Sequence, residues 1–196
     1  MSAKKLTLLV FILSMNYVVL RYHFFGDTPA TDIPLFLLNK ALAYSGLLLL
    51  GLAGLRSTNS ERHKLGMAAA YFLLIHVIAT LVLFSPEYFP KFFKENSSRL
   101  TLSASISLLC GAVSFACLLH LWRVSISTRK GTDLSLVNGL GRIVLILVAG
   151  HTGFIGARVW LHPETWPGNL PPVTLFAFIT AIVFLGITHK RKHSND

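Results

Sequence analysis

The sequence has few charged residues, and acidic residues are especially scarce. Only 13% of its 196 residues are charged, with 8 Asp and Glu against 18 Lys and Arg, while 53% are hydrophobic. A soluble domain usually carries about 25% charged residues. The mean hydropathy of +0.62 points the same way. The composition therefore argues against an ordinary soluble domain and predicts an integral membrane protein.

The chain is also poor in cysteine and lacks common catalytic motifs. Its two cysteines, Cys110 and Cys117, are seven residues apart. On a helix that spacing separates them by roughly 10 Å, which is too far for a disulfide. The sequence contains no HExxH, no GxSxG and no glycine-rich phosphate loop. We therefore expect no paired-thiol redox chemistry and none of the protease, hydrolase or nucleotide-binding activities that those motifs support.

The hydrophobic residues that are present fall into six long runs. Each run is close to the ~20 residues that a helix needs to cross the hydrocarbon core of a bilayer. The predicted fold class is an all-α integral membrane protein, a bundle of six transmembrane helices that forms a single domain over residues 1–196. The predicted spans are 6–25, 35–55, 65–84, 100–122, 140–160 and 173–188.

The basic residues predict how the bundle is oriented. Most of them fall in the N-terminal segment, in the second–third and fourth–fifth loops and in the C-terminal tail. Six alternating spans put these four segments on one side, and loops rich in Lys and Arg stay cytoplasmic. Both termini are therefore predicted to be cytoplasmic. Since topology accounts for most of the net charge of +10, we expect membrane lipid as a partner and no nucleic acid.

Two histidines lie deep within the predicted spans. His76 sits in AAAYFLLIHVIATLVLF and is 12 residues past Lys64, while His151 is 9 residues past Arg142. These spacings correspond to roughly 18 Å and 14 Å of helix. The two helices run in the same direction, so the imidazoles are predicted at similar heights. They are candidate axial ligands that would bind one haem iron from opposite sides. The open alternative is that each imidazole only forms a hydrogen bond between helices.

The surroundings of His151 contain a further candidate and several small residues. Arg158 is seven residues later, on nearly the same helix face and about 10 Å further outward. It is a candidate partner for haem propionates, or else an arginine that extends its charge to the interface. Gly150, Gly153 and Gly156 would allow close approach of either a planar cofactor or another helix.

These residues carry a family resemblance. The run from Leu35 to Phe93, with Leu65–Gly66, Tyr71–Phe72 and His76 in order, resembles the start of the ferric reductase-like transmembrane domain. The segment from Gly141 through His151 to WPGNLPP is similar to the later ligand helix of that domain. The resemblance covers about residues 35–185. The superfamily includes NADPH oxidases, eukaryotic ferric reductases and the bacterial membrane subunit that feeds electrons to a periplasmic methionine sulfoxide reductase.

The resemblance implies b-type haem held by histidine pairs, with electrons passing across the membrane. His76 and His151 match ligand positions on the two ligand-bearing helices. The oxidases place two histidines about 13–14 residues apart on each ligand helix, which allows a second haem. His63 lies thirteen residues before His76, but Asn138 holds the equivalent position before His151. His63 and His120 form a candidate substitute pair, so both one and two haems remain open.

The predicted function is therefore a b-type cytochrome, the electron-transfer subunit of an oxidoreductase. We expect electrons from a cytoplasmic flavin reductase or a quinol, and an acceptor on the outer side that is a protein or ferric iron. Since only a short basic segment follows Thr188, no fused flavin or NAD(P)H domain is expected. Short loops favour a bacterial inner membrane. The alternatives are a cytochrome b subunit of a larger quinol-linked respiratory complex, and a haem-free transporter or assembly factor.

Overall fold

The computed structural model describes residues 1–56, 58–127 and 134–193, and six long helices dominate it. Each of the six is long and apolar enough to cross a membrane, which confirms the prediction of six spans in an all-helical chain. In the described part of the chain, the only β structure is an isolated bridge between Phe93 and Leu100. The helices are α1 Ala3–Val19, α2 Leu38–Leu55, α3 Asn59–Leu83, α4 Leu102–Ser127, α5 Leu134–Trp160 and α6 Val173–His193.

Several helices extend beyond the apolar runs that predicted them. The third begins at Asn59 instead of residue 65, and the fifth begins at Leu134 instead of residue 140. Hydropathy marks only the part of a helix that lies in hydrocarbon, whereas backbone hydrogen bonding continues into polar residues. The first two helices are extended by π turns. Leu20–Phe24 follows α1, and Ile33–Leu37 leads into α2.

Apart from α3 and α4, helices that follow one another in the chain pack as neighbours. Helix α2 packs against α1, α3 and α6, while α5 packs against α4 and α6. Contacts between α3 and α4 are sparse. Residues from the start of α1, the end of α2 and the start of α3 form one hydrophobic cluster, which includes Leu6, Leu49 and Leu65. We call the face where α1 begins and α6 ends the terminal face, and the opposite face the loop face.

The outside of the bundle is far more apolar than the surface of a soluble protein, and several polar residues are buried. Polar residues are buried between the helices, among them Asn39, Ser45 and Ser107, each at most 2% exposed. Large apolar side chains cover the outside, and six that are more than half exposed are Leu8, Leu13, Ile78, Leu81, Leu109 and Ile146. An apolar exterior with polar groups inside is the arrangement that a lipid environment favours.

Candidate functional site

His76 belongs to a small polar cluster between α2 and α3. Its Nδ1 lies 2.6 Å from the side-chain oxygen of Asn39, and the amide nitrogen of Asn39 donates to the hydroxyl of Thr80 at 3.0 Å. Thr80 is one turn beyond His76 on α3. Because the amide oxygen can only accept, the imidazole must donate its Nδ1–H. The other ring nitrogen, Nε2, therefore carries the free lone pair.

His151 is held by α4 in a different way. Its Nδ1 lies 2.9 Å from the backbone carbonyl oxygen of Ser107, and the hydroxyl of Ser107 donates to the backbone carbonyl of His151 at 2.7 Å. A carbonyl is also an acceptor only, so this ring again donates from Nδ1 and keeps its lone pair on Nε2. A Cβ added at Gly111, one turn after Ser107, would lie 3.0 Å from Nδ1. The imidazole thus rests directly against the backbone of α4.

The two imidazoles lie within electrostatic range of each other. Their helices, α3 and α5, make little contact with each other. Instead, α3 packs against α2, and α5 packs against α4 and α6. The depths of the two histidines are also comparable: His76 is seven residues from the loop-face end of α3, and His151 is nine from that of α5. Two helices that present ligands to opposite sides of one planar group need this separation.

The donor set fits a haem iron. A histidine that binds metal usually donates its other ring N–H to a carboxylate or carbonyl oxygen, which fixes the tautomer and raises the basicity of the ligand. His76 and His151 both have this arrangement, through Asn39 and Ser107. Among the described residues, no group of three or more His, Cys, Asp or Glu side chains is placed to hold a metal ion. A pair of imidazoles suits an iron whose remaining positions are occupied by a porphyrin.

The other predicted site residues lie apart from this pair. Arg158 is exposed near the loop-face end of α5, and His120 is exposed on α4. His63, also exposed, has its Nδ1 2.8 Å from the hydroxyl of Ser125. Among the described residues, no hydrogen bond or ring contact joins His63 to His120. His63 of α3 thus forms a hydrogen bond with Ser125 of α4. The roles assigned to Arg158, His63 and His120 stay predictions.

The glycines around His151 contact neighbouring helices. An added Cβ at Gly150 would lie 3.2 Å from the sulfur of Cys110, and one at Gly153 would lie 3.6 Å from the ring of Phe178. Gly150 therefore lets α5 approach α4 closely, which supports the packing interpretation there, whereas a side chain at Gly153 would make only an ordinary contact with α6. Both cysteines are free, as the sequence spacing predicts.

Three cations near the loop face were missed by sequence reasoning. Arg21, Lys40 and Lys91, which we call the loop-face cation cluster, lie within electrostatic range of one another. Burial beside neighbouring protein atoms lowers the pKa of Lys91, and the charge of Arg21 lowers it further, although much of the Lys91 side chain is exposed. The charge of Lys40 also acts on His76. The cluster therefore lies near His76, whose partner Asn39 is next to Lys40 in the chain.

Part of what was missed had a signal in the sequence. Arg21 and Lys40 are charged residues within predicted spans, and an ionisable residue inside a membrane helix is functional by default. Asn39, next to Lys40, is likewise a polar residue in an apolar run. Ser107 had no such signal, because it holds His151 through its backbone carbonyl.

Comparison with models of known families, with curated proteins and with solved structures gives no match to this chain. Membership of the ferric reductase-like family therefore stays a prediction from the sequence. The case for function rests on the residues themselves, above all on the two imidazoles and the oxygen atoms that hold them.

Proposed function

We propose that the chain is a membrane b-type cytochrome in which His76 and His151 are the axial ligands of one haem. The observation that carries this proposal is that each ring donates its Nδ1–H to an oxygen and so keeps Nε2 as a ligand atom. Haem, when bound, would supply reversible one-electron redox chemistry. The similar depths of the two histidines support a single haem between α3 and α5.

In this proposal the protein's own residues position the ligands. Asn39 and the carbonyl of Ser107 hold the two rings in the tautomer that binds iron, and they make the rings better donors to the metal. The apolar side chains around the bundle keep bulk water away from the interior. Asn39 and Ser107 are therefore positioning residues, and only the two histidines bind the iron.

The proposed route of electrons runs from the terminal face to the loop face. Basic residues near the terminal face, such as Lys4, Lys5 and Lys64, favour a cytoplasmic location for it. The donor is then a separate flavin reductase or a quinol, and the acceptor at the loop face is a protein or ferric iron. A bacterial inner membrane is the proposed location.

A difference spectrum tests the haem directly. The full chain is expressed with haem supplied and is purified in detergent. The absorption spectrum of the dithionite-reduced protein minus that of the oxidised protein is then recorded. The amount of haem per chain is measured as the pyridine haemochrome. We expect a b-type spectrum and one haem per chain. His76→Ala and His151→Ala should each remove the haem, whereas the control His162→Ala, at an exposed loop residue, should retain it.

The outcomes are distinct. Wild-type protein that carries no haem would overturn the proposal and favour a haem-free transporter or assembly factor. Variants with the wild-type haem content would exclude His76 and His151 as ligands. Circular dichroism shows whether each variant is still helical, so that loss of haem is separated from loss of fold. Anaerobic mixing with a quinol, and separately with a flavin reductase and NADH, then identifies the class of donor.

A further inference from the structure

The loop-face cation cluster concentrates positive charge where the protein supplies no matching negative charge. In the described ranges the only two ion pairs are Lys64–Glu61 and His162–Glu164. No described carboxylate therefore lies within 4.0 Å of a charged nitrogen of the cluster. Buried charges are normally paired, because removing an ion from water is costly. The missing counter-charge calls for an explanation.

Arg21 is the most deeply buried member and is only partly satisfied. It is 3% exposed, and its Nε donates to the carbonyl oxygen of Pro171 at 2.8 Å. Its two Nη atoms have no hydrogen-bond acceptor among the described residues. A guanidinium has five N–H donors in a fixed planar arrangement that matches the oxygens of a carboxylate or phosphate. Arg21 therefore offers an oxyanion the part of its guanidinium that the protein leaves unused.

Aromatic rings take the place of acidic residues around Lys40. The ammonium nitrogen of Lys40 lies 4.0 Å from the ring centre of Phe36, 5.0 Å from that of Tyr22 and 5.8 Å from that of Phe89. Arg21 also lies over the ring of Tyr22, at 4.8 Å. A ring face attracts a cation but carries no net charge. The rings thus hold two cations close together without neutralising them.

The three cations differ in how exposed they are. Lys91 is exposed on the loop between α3 and α4, Lys40 is half-buried near the start of α2, and Arg21 is buried in the π turn that follows α1. The charges of Lys91 and Arg21 both act on Lys40. An anion that arrives at the loop face would therefore meet Lys91 within the positive potential of all three cations.

We propose that the loop-face cation cluster is a binding site for an oxyanion, the phosphate of a lipid headgroup or of a soluble ligand, with Arg21 and Lys40 as its direct contacts. Lys91, the exposed member of the cluster, attracts the anion from the surface. The inference does not depend on the proposed haem, because it rests on charges that the folded protein itself leaves unpaired.

The test measures ligand-induced stabilisation of the full chain. Thermal unfolding is followed by circular dichroism in neutral detergent while inorganic phosphate replaces chloride at constant ionic strength. A second series adds phosphatidylglycerol or, for comparison, phosphatidylcholine to the micelles. We expect the unfolding temperature to rise with inorganic phosphate, with phosphatidylglycerol, or with both. A rise with phosphatidylglycerol alone assigns the site to a lipid headgroup, and a rise with inorganic phosphate assigns it to a soluble ligand.

Matched variants locate the binding. Lys40→Met should weaken the response about tenfold, because charge-assisted hydrogen bonds are the strong ones, and Lys91→Gln should weaken it severalfold. Lys94→Gln, at another exposed lysine of the same loop, is the control and should respond like wild type. If Lys40→Met does not fold, the proposal is tested by comparing Lys91→Gln, at an exposed residue, with Lys94→Gln.

Any of three results would overturn the proposal. The first is the absence of stabilisation by either ligand. The second is an equal response from Lys91→Gln and Lys94→Gln. The third is stabilisation of haem-free protein that disappears once haem is loaded, which would assign the cluster to the carboxylates of the cofactor.

Discussion

The two deep histidines are held by different parts of their neighbours, and the difference decides how easily each can be disturbed. His76 depends on the side chain of Asn39, which a single substitution removes. His151 depends on the backbone carbonyl of Ser107, which every residue at that position retains. Both rings donate from Nδ1. A substitution of Asn39 removes the acceptor on the α2–α3 side, whereas a substitution of Ser107 leaves the acceptor on the α4–α5 side in place.

The largest effect is expected from Asn39→Leu. The substitution removes the acceptor of His76 and leaves a buried N–H unpaired, which should lower the free energy of unfolding by about 1–3 kcal/mol. Haem affinity should fall about 10–100-fold, the usual result of losing a partner of a metal-binding histidine. Denaturation in mixed micelles and haem titration measure the two quantities.

The control for Asn39→Leu lies on the same helix. Ser45 is fully buried, but its hydroxyl donates to Ala41 of its own helix at 2.7 Å. Ser45→Ala should therefore change haem affinity little. Equal losses of haem affinity in the two variants would show that any disturbance of α2 has this effect and that Asn39 has no special role.

A smaller effect is expected from Ser107→Ala. The hydroxyl bond to the backbone of His151 is lost, but the carbonyl that orients the ring remains. The free energy of unfolding should fall by about 0.5–1.5 kcal/mol, the usual net value of one hydrogen bond. Haem affinity should stay close to that of wild type. A loss of haem as large as that in Asn39→Leu would contradict the asymmetry between the two sides. Ser105→Ala, an exposed serine of the same helix, is the control.

The smallest effects are expected at the two exposed histidines. His63→Ala removes one exposed hydrogen bond to Ser125, and His120→Ala removes a surface side chain. Each should change the free energy of unfolding by no more than about 0.5 kcal/mol and leave one haem per chain. A wild-type stoichiometry of two haems that falls to one in both variants would instead establish the second site.

The sequence predicts the number of helices and the two deep histidines, because both follow from where apolar runs begin and end. It does not predict which helices are neighbours. Because many helix faces here are apolar, the periodicity of apolar residues does not show which face packs against which helix. The link between Asn39 and His76 joins residues 37 positions apart, so it becomes visible only in three dimensions. Arg21 and Lys40 could have been singled out as charges inside spans, but their shared contact with Tyr22 could not.

Each deep histidine finds its polar partner in the helix synthesised immediately before its own. Asn39 lies on α2 and His76 on α3, while Ser107 lies on α4 and His151 on α5. An unpaired polar group is costly in hydrocarbon. When each pair of helices enters the bilayer as a hairpin, the Nδ1–H of its imidazole already has an acceptor, and that hydrogen bond does not require the rest of the bundle. The pairing that prepares the ligands thus also suits insertion into the membrane one hairpin at a time.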